Sequence, residues 1–109
     1  MKIKTTRKSI VDNYPANRIV SVGYCGLANL LSVAEPIAYT CGVYGWNFDV
    51  YNVDGLIICT GYRGMPGRRA NGEFEYEEKA RAIRNNYSMP YDERVSALKE
   101  LLSEFVAQA

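Results

Sequence analysis

Two short segments combine residue types that could bind an anionic molecule with a base. Residues 61–64 are Gly-Tyr-Arg-Gly, and Arg68 and Arg69 follow closely. A guanidinium forms forked bonds to phosphate oxygens, and flanking glycines leave backbone N–H groups open to anions. Residues 42–47 are GVYGWN, and flat rings of this kind can stack on a base. The plainer alternatives are a solvated basic loop and a hairpin turn whose rings fill the core.

Four glutamates lie close together, at positions 73, 75, 77 and 78. Such a cluster could hold Mg²⁺ or act as acid and base. The alternative is the start of a helix that faces water, where acidic side chains complement the helix dipole. The glycine spacing of GYRGMPG fits neither a P-loop nor a dinucleotide fingerprint.

The sequence contains no histidine. This excludes Ser-His-Asp and Cys-His nucleophile systems, and it removes the commonest acid–base residue near neutral pH. The cysteines, Cys25, Cys41 and Cys59, form no C-x-x-C pair, so we expect three free thiols and no metal site. We therefore predict a protein that is not an enzyme, with no catalytic residues, no metal and no cofactor.

Length and charge limit the class of protein further. The 109 residues fit one domain, 1–109, and a formal charge of +1 argues against a general nucleic-acid coat. No apolar run is long enough for a bilayer, and the N-terminus is charged where a signal peptide would be apolar. We expect a cytoplasmic protein that binds no DNA and no membrane.

The middle of the chain predicts a small sheet. Only three charged residues, Glu35, Asp49 and Asp54, occur from residue 19 to 62. Strands are predicted over residues 18–24, 37–43, 48–53 and 56–62. A glycine turn after the second strand and Asp54-Gly55 after the third indicate an antiparallel meander, with the first strand added at one edge.

Helices are predicted on both sides of this sheet, which gives an α+β fold with about four antiparallel strands. Thr5 or Thr6 can cap a short helix that runs to Asn13, and a helical turn is expected over 27–31. Two helices follow, over 74–86 and from Pro90 to the end. The last carries a wide apolar stripe of Val95, Leu98, Leu101, Leu102, Phe105 and Val106. The stripe either packs on the sheet or forms a dimer seam, and we expect a homo-oligomer of at least two chains.

Longer strings extend over nearly the whole chain: TTRKSIVDNY, VGYCGLANLL, AYTCGVYGWNFDVY, ICTGYRGMPG and YEEKARAI. In these strings the sequence resembles the first family of Thoeris anti-defence proteins, small proteins of phages and mobile elements. The resemblance implies that the protein sequesters a cyclic ADP-ribose-type signal made by TIR-domain enzymes, without cleaving it, so that the immune effector is not activated. It also implies binding of cyclic oligonucleotides at a separate site, in a dimer or a trimer of dimers.

The resemblance also implies a ligand pocket. Tyr76, Glu77 and Asn86 match the family's spacing of an aromatic, an acid and an amide, with Tyr-Glu where the family has Phe-Asp. Arg63 is the best match to a family arginine. The predicted ligand-binding residues are Arg63, Tyr76, Glu77, Asn86, Tyr62 and Arg68. For Tyr76 the alternative is a ring packed in the core.

Two other functions account for the same features. Nine tyrosines and several arginines also suit a protein interface, as in a mobile-element protein that blocks a host defence enzyme, for example a CRISPR nuclease. A minor metabolic enzyme would have to turn over a nucleotide. A sequestering protein should release its ligand intact on denaturation, whereas a blocking protein should capture a host protein.

Overall fold

The structure, a computed structural model, describes residues 2–41, 47–61 and 65–109. In these residues the chain forms six strands and three α-helices. The strands are β1 Ile3–Thr5, β2 Ile19–Val22, β3 Ala38–Thr40, β4 Asp49–Val53, β5 Leu56–Thr60 and β6 Arg68–Arg69. The helices are α1 Arg7–Asn13, α2 Glu73–Arg84 and α3 Tyr91–Gln108, with short 3-10 helices at Ala16–Arg18 and Leu30–Val33.

The strands form one mixed sheet in the order β1-β3-β4-β5-β2-β6. The predicted α+β class and the β3-β4-β5 antiparallel meander are confirmed. The prediction of a four-stranded antiparallel sheet is wrong in detail, because β1 lies parallel to β3 and β2 lies parallel to both β5 and β6. The first predicted strand, β2, is therefore interior. Strands β1 and β6 have three and two residues, too few for an alternating pattern to reveal them.

The predicted helices are confirmed, with small shifts at their ends. The Thr6 hydroxyl caps α1 by accepting a hydrogen bond from the Ser9 N–H at 3.1 Å. Helix α2 begins after Gly72, whose φ of 71° lies in the left-handed region that favours glycine. Pro90 is the N-cap of α3 instead of its first helical residue. In the described ranges, no helix is long and apolar enough to cross a membrane.

The apolar stripe of α3 packs inside the chain. Leu98, Leu101, Leu102 and Phe105 lie in one buried cluster with residues of β2 and β5. This finding supports the sheet-packing alternative for the stripe, and homo-oligomer formation stays a prediction. A second cluster on the opposite face of the sheet includes Ile10 of α1 and Cys59 of β5. The sheet thus separates α2 and α3 from α1.

We predict that the free energy of unfolding falls at alkaline pH because of Cys59. Burial raises the pKa of its thiol from 9.0 to about 12, since the thiolate would lose its hydration. Between these two values the unfolded chain binds fewer protons than the folded one, so stability falls as pH rises, by up to about 1.4 kcal/mol per pH unit. Below the lower value the thiol is neutral in both states and adds no pH dependence.

The measurement is denaturant unfolding of the wild type and Cys59→Ala from neutral pH to about pH 10. The stability difference between them should be constant up to the ordinary thiol pKa and should then change steadily in favour of Cys59→Ala. A difference that stays constant throughout would contradict the assignment.

Candidate functional site

Two of the predicted ligand-binding residues, Tyr62 and Arg63, lie outside the described residues, as do positions 42–46 of the GVYGWN segment. Arg68 is described and lies on the edge strand β6, where the residue is exposed. Its backbone carbonyl accepts a hydrogen bond from the Ser21 hydroxyl at 3.3 Å. The predictions for Tyr62, Arg63 and Arg68 therefore stay predictions.

Tyr76 packs within the protein. Its ring lies edge-on to Phe105 of α3, with 5.3 Å between ring centroids and 75° between planes, a favourable aromatic geometry. The Tyr76 side chain is partly buried against the cluster that α3 and the sheet form. This arrangement supports the alternative in which Tyr76 belongs to the core.

Glu77 is buried, with 7% of its surface exposed, and its carboxylate is satisfied by the chain itself. It accepts hydrogen bonds from the Asn29 backbone N–H at 3.1 Å, the Asn29 side-chain amide at 2.9 Å and the Leu30 N–H at 3.2 Å. Glu73, one turn earlier, accepts from the Gly23 N–H. The two carboxylates together fasten α2 to the loop that follows β2. A Cβ at Gly26 would meet the Glu73 carboxylate, so a larger residue there would displace this side chain from the Gly23 N–H.

Asn86 lies beyond the end of α2 and is exposed. Its side-chain oxygen accepts a hydrogen bond from the Ser88 hydroxyl at 2.6 Å. Ten residues at about 1.5 Å each separate it from Tyr76 by about 15 Å along the helix direction. The chain by itself therefore does not bring Tyr76, Glu77 and Asn86 to a common surface.

The other two glutamates of the cluster, Glu75 and Glu78, lie on the solvent-exposed side of α2 near its start. Glu78 pairs with Arg81 at 2.9 Å, and Glu75 is exposed. Among the described residues, no group of three or more His, Cys, Asp or Glu side chains could hold a metal ion. A cleft of about 660 Å³ beside these glutamates also contains Arg69 and Arg81, but four carboxylates make it unfavourable for a phosphate.

A different cleft, of about 570 Å³, lies on the same face of the sheet as α2 and α3. We call it the tyrosine cleft, after the three tyrosines among the residues that line it. These residues are Lys2, Tyr24, Leu27, Ala28, Leu31, Ser32, Ala34, Tyr39, Thr40, Cys41, Asn47, Phe48, Asp49, Tyr51 and Thr60. Its floor is the sheet, and its wall is the segment from residue 24 to 34.

The composition of this sheet face explains why the described helices do not cover the cleft. Strands β2 and β5 present apolar residues, among them Val20 and Ile58, and α2, α3 and the 3-10 helix at Leu30–Val33 cover them. Strands β3 and β4 instead present Tyr39 opposite Asp49, with Tyr51 two positions further along β4. Burying polar groups under an apolar helix surface is costly, because they would lose their hydrogen bonds to water. This part of the face therefore forms the floor of the cleft instead of packing against a helix.

An ion pair crosses the floor above a tyrosine ring. The Lys2 ammonium lies 3.3 Å from an Asp49 carboxylate oxygen and 5.7 Å from the centre of the Tyr39 ring. Burial, together with the negative charge of Asp49, raises the pKa of Tyr51 above 10.0. A tyrosine phenol is protonated at neutral pH even without this shift, and that of Tyr51 can donate a hydrogen bond into the cleft.

Described residues at the ends of the two predicted binding segments lie at or near this cleft. Cys41 and Asn47 precede and follow residues 42–46, and both line it. A Cβ at Gly61, just before Tyr62, would lie 3.8 Å from the Tyr24 ring and 3.6 Å from the Asn47 carbonyl oxygen. Asn47 ends the first predicted segment and Gly61 begins the second, so one described residue of each lies in or beside the cleft.

The floor residues Lys2, Tyr39, Asp49 and Tyr51 are not among the predicted ligand-binding residues. A signal for them was present, because Asp49 is one of three charges between residues 19 and 62. In the predicted hairpin, alternation places Asp49 and Tyr51 on one face. A charge and a tyrosine on one face of a strand in a lightly charged sheet indicate a polar surface.

No protein-family model matches this sequence, and no curated protein or solved structure matches it.

We predict that Glu77 stabilises the fold. Glu77→Ala would leave the Asn29 and Leu30 N–H groups without their acceptor and should lower the free energy of unfolding by about 3 kcal/mol. Glu75→Ala is the matched control, because Glu75 lies on the same helix and is exposed, and it should change stability by less than about 0.5 kcal/mol. Chemical denaturation measures both, and equal effects in the two variants would refute the structural role.

Proposed function

We propose that the protein binds a nucleotide of the cyclic ADP-ribose class in the tyrosine cleft and sequesters it without chemical change. The observation that carries this proposal is the floor of the cleft, where Tyr39 and Tyr51 lie beside the Lys2–Asp49 ion pair. Rings can stack on a base, an ammonium can bind phosphate, and a carboxylate can accept hydrogen bonds from ribose hydroxyls. The resemblance to Thoeris anti-defence proteins supports the same class of ligand.

The size and lining of the cleft fit a ligand of this kind. Pockets for small molecules commonly enclose about 300–1,000 Å³ and combine apolar walls with a few polar groups, and this one has about 570 Å³. Leu27, Ala28 and Leu31 supply an apolar wall opposite the polar floor. The exposed Tyr24 stands at the mouth, where it can cover a bound ring.

Sequestration requires affinity but no turnover. The sequence has no histidine, and the Asp49 carboxylate on the cleft floor is paired with Lys2. An enzyme that hydrolyses nucleotides would need a general base that activates water, or an activated nucleophile, near the phosphate. Mass spectrometry should therefore recover added ligand intact after the protein is denatured, and a product that accumulates with time would overturn the proposal.

We predict that ligand shields Cys41 from thiol reagents but leaves Cys25 reactive. Both thiols are exposed, but Cys41 lines the tyrosine cleft whereas Cys25 lines the cleft at the start of α2. Saturating cyclic ADP-ribose or an isomer should slow maleimide labelling of Cys41 by about tenfold or more, because bound ligand excludes the reagent. Peptide mass spectrometry distinguishes the two sites. Equal protection of both cysteines, or of Cys25 alone, would place the ligand elsewhere.

We predict that Tyr24 contributes to binding and that Tyr87 does not. Tyr24 is 75% exposed at the cleft and Tyr87 is 79% exposed at the turn between α2 and α3, so neither substitution should unfold the protein. Loss of one stacked ring is worth about 1–3 kcal/mol. Tyr24→Ala should thus weaken cyclic ADP-ribose binding by about ten- to a hundredfold in calorimetry. Tyr87→Ala is the matched control and should bind like the wild type.

A specific observation also favours the protein-blocking alternative. Tyr87 and Tyr91 are both exposed, and the Arg94 guanidinium lies 5.2 Å and 5.8 Å from their ring centres. Tyrosine and arginine are frequent anchors of protein interfaces. If the protein blocks a host enzyme through this patch, Tyr87→Ala will abolish protection of phage from the defence system and Tyr24→Ala will not. The reverse pattern supports sequestration.

A further inference from the structure

The Lys2–Asp49 ion pair provides two opposite charges side by side on the floor of the tyrosine cleft. The Lys2 side chain is 47% exposed and the Asp49 side chain is 38% exposed, so a ligand in the cleft can reach both the ammonium and the carboxylate. A pair this exposed is worth little to folding, about 0–1 kcal/mol. A ligand that offers a partner to each charge can therefore replace the pair at small cost.

The neighbours of the pair determine how such a ligand could lie. Asp49 is held by its backbone, because its N–H donates to the Thr60 hydroxyl at 3.0 Å. Tyr51 lies two positions along the same strand and so on the same face. Lys2 reaches Asp49 from the edge of the sheet, where it lies beside the Tyr39 ring. A negative group thus fits towards the edge, and hydroxyls fit towards the centre of the floor.

We infer that Asp49 is the specificity-determining residue for a ribose diol and that Lys2 binds the attached phosphate. The inference rests on the proposed function, since it orients a nucleotide in the same cleft. A carboxylate can accept hydrogen bonds from two adjacent hydroxyls at once, and these charge-assisted bonds are the strong class. A 2′-deoxy sugar offers one hydroxyl fewer. The cleft should therefore distinguish ribonucleotides from deoxyribonucleotides.

The experiment compares AMP with 2′-deoxy-AMP, alongside cyclic ADP-ribose, on the full chain by calorimetry or ligand-observed NMR. Wild type should bind AMP about tenfold more tightly than 2′-deoxy-AMP, the ratio expected for one charge-assisted hydrogen bond. Asp49→Asn should reduce this ratio to about one. The matched control is Asp54→Asn, a second charge-to-amide change. Asp54 lies in a turn at a φ of 51°, a conformation that asparagine adopts readily, so this variant should keep the full ratio.

A further variant separates the two halves of the inference. Lys2→Gln should weaken binding of both nucleotides by a similar factor and should reduce its dependence on salt, because the lost contact is to phosphate. If the wild type binds AMP and its deoxy form equally, or if Asp49→Asn keeps the full ratio, Asp49 does not recognise the diol. That result leaves the proposed function intact. If neither nucleotide nor cyclic ADP-ribose binds the wild type, the proposed function fails and this inference fails with it.

Discussion

The structure depends on a carboxylate buried where α2 meets the loop after β2. Glu77 satisfies N–H groups at Asn29 and Leu30 that would otherwise lie near the core without acceptors. Such an arrangement is stable only when every member is paired. Its consequence reaches the cleft, because the same loop supplies Leu27, Ala28 and Leu31 to the wall. Glu77 thus positions the candidate site from a distance.

The second constraint is the division of one sheet face into two halves. Apolar side chains on β2 and β5 require cover and receive it from α2 and α3. Polar and aromatic side chains on β3 and β4 form the floor of a cleft instead. The same hydrophobic effect that folds the chain therefore determines which half of this face the described helices cover. No separate domain is needed to create a cavity, since a face only half covered by helices already contains one.

Local signals in the sequence predicted the helices and the meander. They did not predict the pairing of strands that are far apart in the chain. The Thr6 cap, the apolar stripe of α3 and the Asp54-Gly55 turn each act within a few residues. The parallel pairing of β2 with β5 joins residues almost forty positions apart, and nothing local encodes it. The site follows the same rule. The predicted binding segments are runs of neighbouring residues, whereas the cleft gathers Lys2, Tyr24, Tyr39 and Asp49 from separate parts of the chain.

The ion pair also bears on how a sequestering protein could avoid abundant competitors. A simple phosphate ion can contact Lys2 but offers nothing to Asp49, whose neighbouring negative charge repels it. A neutral sugar can contact Asp49 but offers no charge to Lys2, so each of these competitors makes only one of the two contacts. A nucleotide that brings phosphate and ribose together compensates both charges in one binding event. On the proposed function, discrimination thus follows from presenting the two charges as a pair, since selectivity requires a cost for the wrong ligand as well as a gain for the right one.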